Sequence, residues 1–479
     1  MRPKLPSLLL SRLSEFVAVQ TGFYFPQERW GDLERKIAAA ALDFNFSDTE
    51  SCAHWLLSTP LTRRMNEILA SHLSVGETYF FREKQSLEIF GEQILAQLLP
   101  LRRQSARRLR IWSAGCSTGE EAYTIAILLD RLVPDLKEWN ITILATDFNP
   151  KFLRKAAQGV YGEWSFRDAP VWLRECYFTK CSDRRFEIHP RIRQMVTFAY
   201  LNFAEDVYPS LLNNTSAMDV IFCRNVLMYF SAQCAKQVIG NFYHALLDGG
   251  WLIVSPAESS NKLLAPFTPV NFPGAVLYRK MDNAEAQSGV SAPQVWQSAG
   301  ATEVALASVS ALAAQEAPAA PAVAEMDLAQ HSQLPVLQPD ALELPSHMAR
   351  SCANQGRLSE ALQWCEKAIA ADKMNVSHHY LNATILQEQG QHDIAIQSLM
   401  RALYLEPDFV LAHFALGNLH QSQGRQREAQ RYFGNVLLLL RKHSQDEVLP
   451  EAEELTVGRL VEIVTSLLAS FPHSAAIRV

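Results

Sequence analysis

Gly115 and Gly119, followed directly by Glu120 and Glu121, form the stretch of this 479-residue chain whose residue types and spacing could do chemistry. The segment LRIWSAGCSTGEEAY, residues 109 to 123, runs from an apolar stretch through small residues into a helix-forming one. Glycines let the backbone turn and let a ligand come close. Acids at a helix start complement its dipole. The same acids repel a pyrophosphate, which wants bare N–H groups there, and the spacing is not G-x-G-x-x-G. A cationic or zwitterionic ligand fits better, and S-adenosylmethionine carries both a sulfonium and an ammonium. An ordinary strand-to-helix turn would read the same way, so both readings stand on this stretch alone.

Three further groups join it. ITILATD ends in Asp147, more than twenty residues past the glycine turn, where an acid can bond ribose hydroxyls or merely cap the helix opening at Asn149-Pro150. MDVIFC runs out into Arg224 and Asn225. Tyr79, Phe80 and Phe81 precede Arg82, whose planar fork suits a carboxylate; alternatively the aromatics are a plug and the arginine a surface residue.

These residues need a sheet to hold them. Strands are expected at LRIWSAG, ITILATD (141 to 147), MDVIFCRNVLMYF (218 to 230), WLIVSP (251 to 256) and, as a last edge strand, VLYRK (276 to 280). Helices begin after the glycine turn (Ala122, Ile125, Ala126, Leu129) and at Cys234. This is the alternation of a doubly wound α/β sheet. An insert at about 162 to 195, with RRFEIH and RQMVTF as β-like pieces, is expected to form a small antiparallel lobe. Ahead of the sheet, residues 1 to 74 read as a helical domain. Its stripes are Leu8, Leu9, Leu13, Phe16 and Val17; Leu33, Ile37, Ala40 and Ala41; and a helix opened by Pro60 through Met65, Ile68, Leu69 and Leu73. Arg29, Arg35, Lys36, Arg63 and Arg64 offer basic faces to an acidic partner, or simply a solvated surface.

Residues 282 to 341 turn to Ala, Pro, Ser and Gln, with no Lys or Arg between Lys280 and Arg350; that composition is a disordered linker. Beyond it Gly356, Gly390 and Gly424 head similar segments, each followed five residues on by Ala361, Ala395 and Ala429. The step is 34 residues, the tetratricopeptide period, so 342 to 443 should be three repeats stacked into a short all-α solenoid with a concave groove. Residues 444 to 479 supply a capping helix. The groove could take a receptor array, another signalling protein or the chain's own catalytic domain.

Composition bounds the rest. A formal charge of -6 and the lack of a basic aromatic patch argue against a nucleic-acid partner. No apolar run reaches the ~20 residues that span a bilayer, and Arg12 and Glu15 interrupt the N-terminal leucines too early for a secretory signal. Eight scattered cysteines without a C-x-x-C pair read as reduced thiols in a cytoplasm, and no residue set completes a metal site, Cys176 and Cys181 included.

Taken together, the glycine loop, TYFFRE, ATDFN and IFCRNVLMYF resemble the CheR-type chemotaxis receptor methyltransferases over roughly residues 10 to 281. Members with C-terminal tetratricopeptide repeats also occur, some in surface-sensing and biofilm pathways. The resemblance implies a small all-α N-terminal domain, a class I methyltransferase sheet (75 to 281) with an inserted β lobe, and S-adenosylmethionine as cofactor. It further implies methyl transfer to glutamates in the cytoplasmic helical domain of a methyl-accepting chemoreceptor. Position by position, it implies cofactor contacts from Gly76, Thr78, Arg82, Gly115, Glu121, Asp147, Asn202, Phe203, Asn225 and Val226. Arg82 and Tyr229 are the expected catalytic pair. Three departures are visible. Gly76 stands where the family usually has Asn. The second N-terminal helix reads IAAAALDF instead of being rich in arginine. The lobe is short and lacks loop glycines, so no receptor-tail tether is expected. The rivals are a nicotinamide-dependent dehydrogenase, a nucleic-acid methyltransferase and a non-catalytic, cofactor-sensing scaffold that acts through its repeats.

Overall fold

In the computed structural model, residues 5–103, 107–181, 184–204, 208–210, 213–281, 339–354, 356–445, 447–449 and 456–470 are described. The expected linker lies outside them, apart from its last few residues.

Apolar residues at helical spacing build the N-terminal domain from α1 (Ser7–Thr21), α2 (Trp30–Asp43), α3 (Thr49–Ser58) and α4 (Arg63–Leu73). In α1 the buried path is Leu9, Leu13 and Val17, at i, i+4 and i+8; Leu8 is 76% exposed, so the stripe is narrower than the sequence implied. The sequence reading missed α3, whose N-cap Asp48 accepts from the Ser51 N–H at 2.8 Å. α4 starts not at Pro60 but after Thr62, which accepts from the Met65 N–H.

After α5 (Lys84–Ile89), a π turn (Phe90–Ile94) and α6 (Leu95–Arg103), the chain enters a seven-stranded sheet. Its strands are β1 (Arg108–Ala114), β2 (Asn140–Asp147), β6 (Val196–Tyr200), β7 (Met218–Cys223), β8 (Leu246–Val254), β9 (Thr268–Phe272) and β10 (Ala275–Arg279). The order is β6-β2-β1-β7-β8-β10-β9, parallel from β6 through β8. α7 (Glu120–Leu132), α8 (Pro150–Gln158), α9 (Val171–Tyr177), α10 (Pro190–Arg193) and α11 (Ala232–Ala245) connect the strands. β1 is buried along its whole length, as a central parallel strand covered on both faces must be.

Three strand assignments change. The strand expected over 218 to 230 stops at Cys223, because Asn225 turns into the left-handed region and Leu227–Tyr229 forms a 3-10 turn. VLYRK is β10, which lies inside the sheet between β8 and β9; the edge is β9, which carries Pro269, tolerated there because an edge strand can forgo an N–H. RQMVTF does not join the lobe: Val196 pairs with Ile143 in the main sheet. The lobe is β3 (Val160–Gly162), β4 (Phe178–Lys180) and β5 (Arg185–Ile188), in the order β3-β5-β4. Phe80 anchors it by stacking on Phe166 with centroids 5.0 Å apart and meeting Tyr161 and Phe178 edge-on.

The C-terminal region is α12 (Pro339–Asn354), α13 (Leu358–Ala371), α14 (Val376–Glu388), α15 (His392–Leu405), α16 (Val410–Ser422), α17 (Gln426–Leu440) and α18 (Val457–Ser470). Ala361, Ala395 and Ala429 are fully buried where paired helices cross closely. Phe433 packs so tightly on Gly417 that a Cβ there would lie 2.4 Å from its ring. α18 covers the end of the stack, with Val457, Leu460 and Val464 buried in the same core.

Candidate active site at the switch point of the sheet

β1 pairs with β2 on one side and β7 on the other, so the connections leave its carboxyl end in opposite directions. A crevice opens there by topology. In this chain it is a cleft lined by loops after β1, β2 and β7, by the segment 74–82, and by the end of α1 at Thr21 and Phe23.

The loop after β1 is shaped by a close approach. Gly115 has φ +83°, and a Cβ on it would sit 2.5 Å from Val226 Cγ2. Its N–H and that of Cys116 donate to the Thr146 carbonyl at 2.8 and 2.9 Å. Asp147 then fastens the loop: it accepts from the Ser117 N–H at 2.9 Å and the Asn149 N–H at 2.8 Å. The helix-capping alternative falls to Asn149, whose side chain accepts from the Lys151 and Phe152 N–H groups. Asp147 therefore keeps lone pairs for the cleft. Burial pushes its carboxyl up to about 6, against the pull of those N–H donors.

The two acids of the glycine loop diverge. Glu120 is 1% exposed and turns away from the cleft, accepting from Thr118 Oγ1 at 2.6 Å and Ser165 Oγ at 3.0 Å. Glu121 faces the cleft, accepting from Ser113 Oγ at 2.8 Å and from Arg224 Nε at 2.7 Å. Arg224, itself 7% exposed, also donates to the Arg82 carbonyl at 2.8 Å and Ser86 Oγ at 3.0 Å, tying the aromatic segment to the sheet.

Asn225 sits at φ +59°, a left-handed conformation that Asn tolerates better than most residues. One carboxylate holds that turn. Glu258 accepts from the Asn225 N–H at 2.7 Å, the Val226 N–H at 2.6 Å, the Met228 N–H at 3.3 Å and Ser255 Oγ at 2.6 Å. Across the cleft, the Arg82 guanidinium donates to the Glu77 carbonyl at 2.7 Å and lies 5.8 Å from the Tyr79 ring centre. Tyr229 is fixed through its backbone: its carbonyl accepts from the Tyr24 N–H at 2.8 Å. Its ring lies 6.1 Å from Phe23.

Thr78, Arg82, Gly115, Glu121, Asp147, Asn202, Phe203, Asn225, Val226 and Tyr229 all line this one cleft. Gly76 does not; it backs onto Phe152, whose ring carbon would be 2.5 Å from a Cβ there. Asn202 is engaged within the protein, donating to the Gln20 carbonyl at 3.0 Å and accepting from the Ala204 N–H at 3.1 Å. Sequence reasoning missed Thr21, Phe23, Cys116, Ser117, Phe148, Phe152 and Phe230 on the wall, and Glu258 behind it. Only Glu258 had a signal: Ser255-Pro256-Ala257-Glu258 is a capping box.

The cleft fits S-adenosylmethionine by its chemistry. The carboxylates of Asp147 and Glu121 face it as acceptors of the kind that hydroxyls and an ammonium require, and apolar rings line the remainder.

Residues 76–275 match the family model described as CheR methyltransferase, SAM binding domain. Residues 383–424 and 412–448 match tetratricopeptide repeat models. The chain is 36% identical over 208 residues to chemotaxis protein methyltransferase 2 of Vibrio cholerae, a match covering 43% of this chain and 70% of that one. It is 29% identical to the probable biofilm formation methyltransferase WspC of Pseudomonas aeruginosa, over 76% of this chain and 84% of that one. It is 27% identical to the WspC of Pseudomonas putida, over 83% and 89%.

Proposed function

We propose, from the premise that this chain belongs to the CheR family of S-adenosylmethionine-dependent methyltransferases, that its acceptor is a glutamate side chain on the cytoplasmic helical domain of a methyl-accepting chemoreceptor. The observation that carries this reading is the meeting of Arg82 and Tyr229 with Glu121 and Asp147 around one cleft. A cation at the mouth can take an acidic acceptor, while the acids deeper in can take the cofactor's cationic and hydroxyl groups.

When bound, S-adenosylmethionine supplies a methyl group activated by its sulfonium. Asp147 would accept from its ribose hydroxyls, Glu121 would serve its ammonium, and Phe203 with Asn202 would flank its adenine. Thr78, Gly115, Asn225 and Val226 complete the walls. A glutamate is already ionised at neutral pH, with a reference pKa of about 4.3, so no general base is needed. What it needs is in-line placement. Arg82 grips the carboxylate and Tyr229 orients it. Arg82 is also partly engaged with the Glu77 carbonyl, which keeps the grip moderate. That suits a reaction in which the acceptor's charge disappears, since too firm an ion pair would hold back the step.

The names of the relatives support two settings, chemotaxis and biofilm formation, and the tetratricopeptide repeats support a protein partner. The test mixes the full chain with methyl-labelled S-adenosylmethionine and membranes carrying a candidate receptor. Label on the receptor that mild base releases marks a glutamate methyl ester and supports the reading. Base-stable label on protein would overturn the carboxylate chemistry and leave the cofactor in place.

A further inference from the structure

The first turn of β1 carries Arg108 and Arg110, and both are buried: their side chains are 10% and 3% exposed. Cations at the start of a central strand need an anion close by. Within the sheet, Asp219 is already engaged. It accepts from Arg102 Nε and from the Arg110 backbone N–H, each at 2.8 Å. The missing charge comes from the repeats. Glu388, the last residue of α14, receives Arg110 Nη1 at 2.6 Å and Arg108 Nη2 at 3.4 Å, and is itself only 10% exposed. The positions 34 residues before and after it are Asn354 and Ser422, so the acid belongs to the second repeat alone. It also stands where a helix dipole disfavours an anion, so the helix itself has no use for it.

The turns beside Glu388 point the same way. Gly356, Gly390 and Gly424 hold one conformation, with φ +73°, +75° and +74°. A Cβ on Gly356 would lie 2.3 Å from Leu247 Cδ2 and one on Gly390 2.8 Å from Asn140 Nδ2, whereas around Gly424 there is nothing within 4 Å. Arg108, Arg110, Asn140, Ala217 and Leu247 all lie at or near the amino ends of β1, β2, β7 and β8. The cleft is at the carboxyl ends, about 20 Å away at ~3.3 Å per residue along β1.

We propose that the amino-terminal rim of the catalytic sheet is a docking seat for the chain's own repeat domain. Glu388 closes it between Arg108 and Arg110, and the turns at Gly356 and Gly390 rest on it. The groove is not what meets the catalytic domain; the inter-helix turns are. The repeats are thereby held at the end of the sheet opposite the cleft. They act as an arm that presents a partner at a fixed distance, and do not cover the active site.

Small-angle scattering and circular dichroism on the full chain test this. Glu388→Lys removes the anion while relieving the repulsion at the end of α14, so the helical signal should be kept. The radius of gyration should shift upward, and the compact distance distribution should be lost. Gly356→Asn adds a side chain at the seat with a residue that tolerates the left-handed turn and should open the chain likewise. Gly424→Asn, the same change at the free turn, should leave scattering unchanged. The proposal is overturned if Glu388→Lys and Gly356→Asn scatter as the parent does. It is equally overturned if Gly424→Asn opens the chain as much as Gly356→Asn, because the effect would then be repeat unfolding.

Discussion

At the carboxyl ends of β1, β2 and β7 the charges that face or frame the cleft are mainly acids, with the buried cation Arg224 among them, and their partners come from the same domain. Asp147 is held by the Ser117 and Asn149 N–H groups, Glu258 by Asn225, Val226 and Ser255, and Glu121 by Ser113 and Arg224. At the amino ends of the same strands the buried charges include the cations Arg108 and Arg110, and the acid between them arrives from another domain. The difference is one of permanence. Backbone donors two or three residues from a strand end cannot leave without unfolding the strand. A carboxylate on a separate helix can leave whenever that domain is pulled away. The front of the sheet is thus a fixed site and the rear a joint.

The largest expected effect is at the front. Arg82→Ala should lower turnover on receptor membranes on the order of 100-fold or more, as the loss of a positioned charge does, with S-adenosylhomocysteine binding little changed. Near-normal turnover of that variant with cofactor bound would remove Arg82 from its role.

Asp147 gives the next effect, in pH. Its carboxyl sits at about 6 instead of 3.8, so between these values the native chain holds a proton that the unfolded chain has lost. The contribution of Asp147 to stability therefore falls as pH rises through that window, by on the order of 3 kcal/mol. Asp147→Asn should abolish the fall and also weaken cofactor binding at neutral pH, roughly tenfold for one charged acceptor lost. Denaturant titrations from pH 4 to 7 read the first effect and calorimetry the second. A stability difference between parent and Asp147→Asn that does not fall with rising pH over this window would contradict the buried, cleft-facing carboxylate.

Glu258→Gln is smaller. Whichever way the amide turns, its NH2 faces backbone N–H groups on one side, of Asn225 and Ser255 or of Val226 and Met228, so that side loses its acceptor at a cost of about 1 to 2 kcal/mol. KM for the cofactor should rise several-fold with kcat nearly constant. At the rear, Glu388→Lys should change turnover on a soluble acceptor least of all, within twofold, since no cleft residue touches it. A large loss there would mean that the joint reaches the front and would dissolve the contrast.

Much of the front was legible in the sequence because it is local. Asp147 ends an apolar run, and Gly115 and Glu121 share one turn. What escaped is non-local. Tyr229 is steadied by Tyr24, more than two hundred residues earlier, through a backbone hydrogen bond that no side chain encodes. The apolar pattern of VLYRK marks a strand but not its neighbours, so its interior place was invisible. RQMVTF was assigned to the lobe because it follows the lobe's strands, whereas its register with Ile143 is set by the crossover helices. The acid that pairs with Arg108 and Arg110 lies about 280 residues away, beyond the reach of any local pattern.

Cys116 lines the cleft and is 2% exposed. Burial, with Asp147 and Glu121 nearby, pushes its thiol well above the ordinary range. Only a thiolate is a strong nucleophile. A sulfur that stays protonated leaves an alkylating reagent alone, so the chamber can store a reactive methyl donor without consuming it on its own wall.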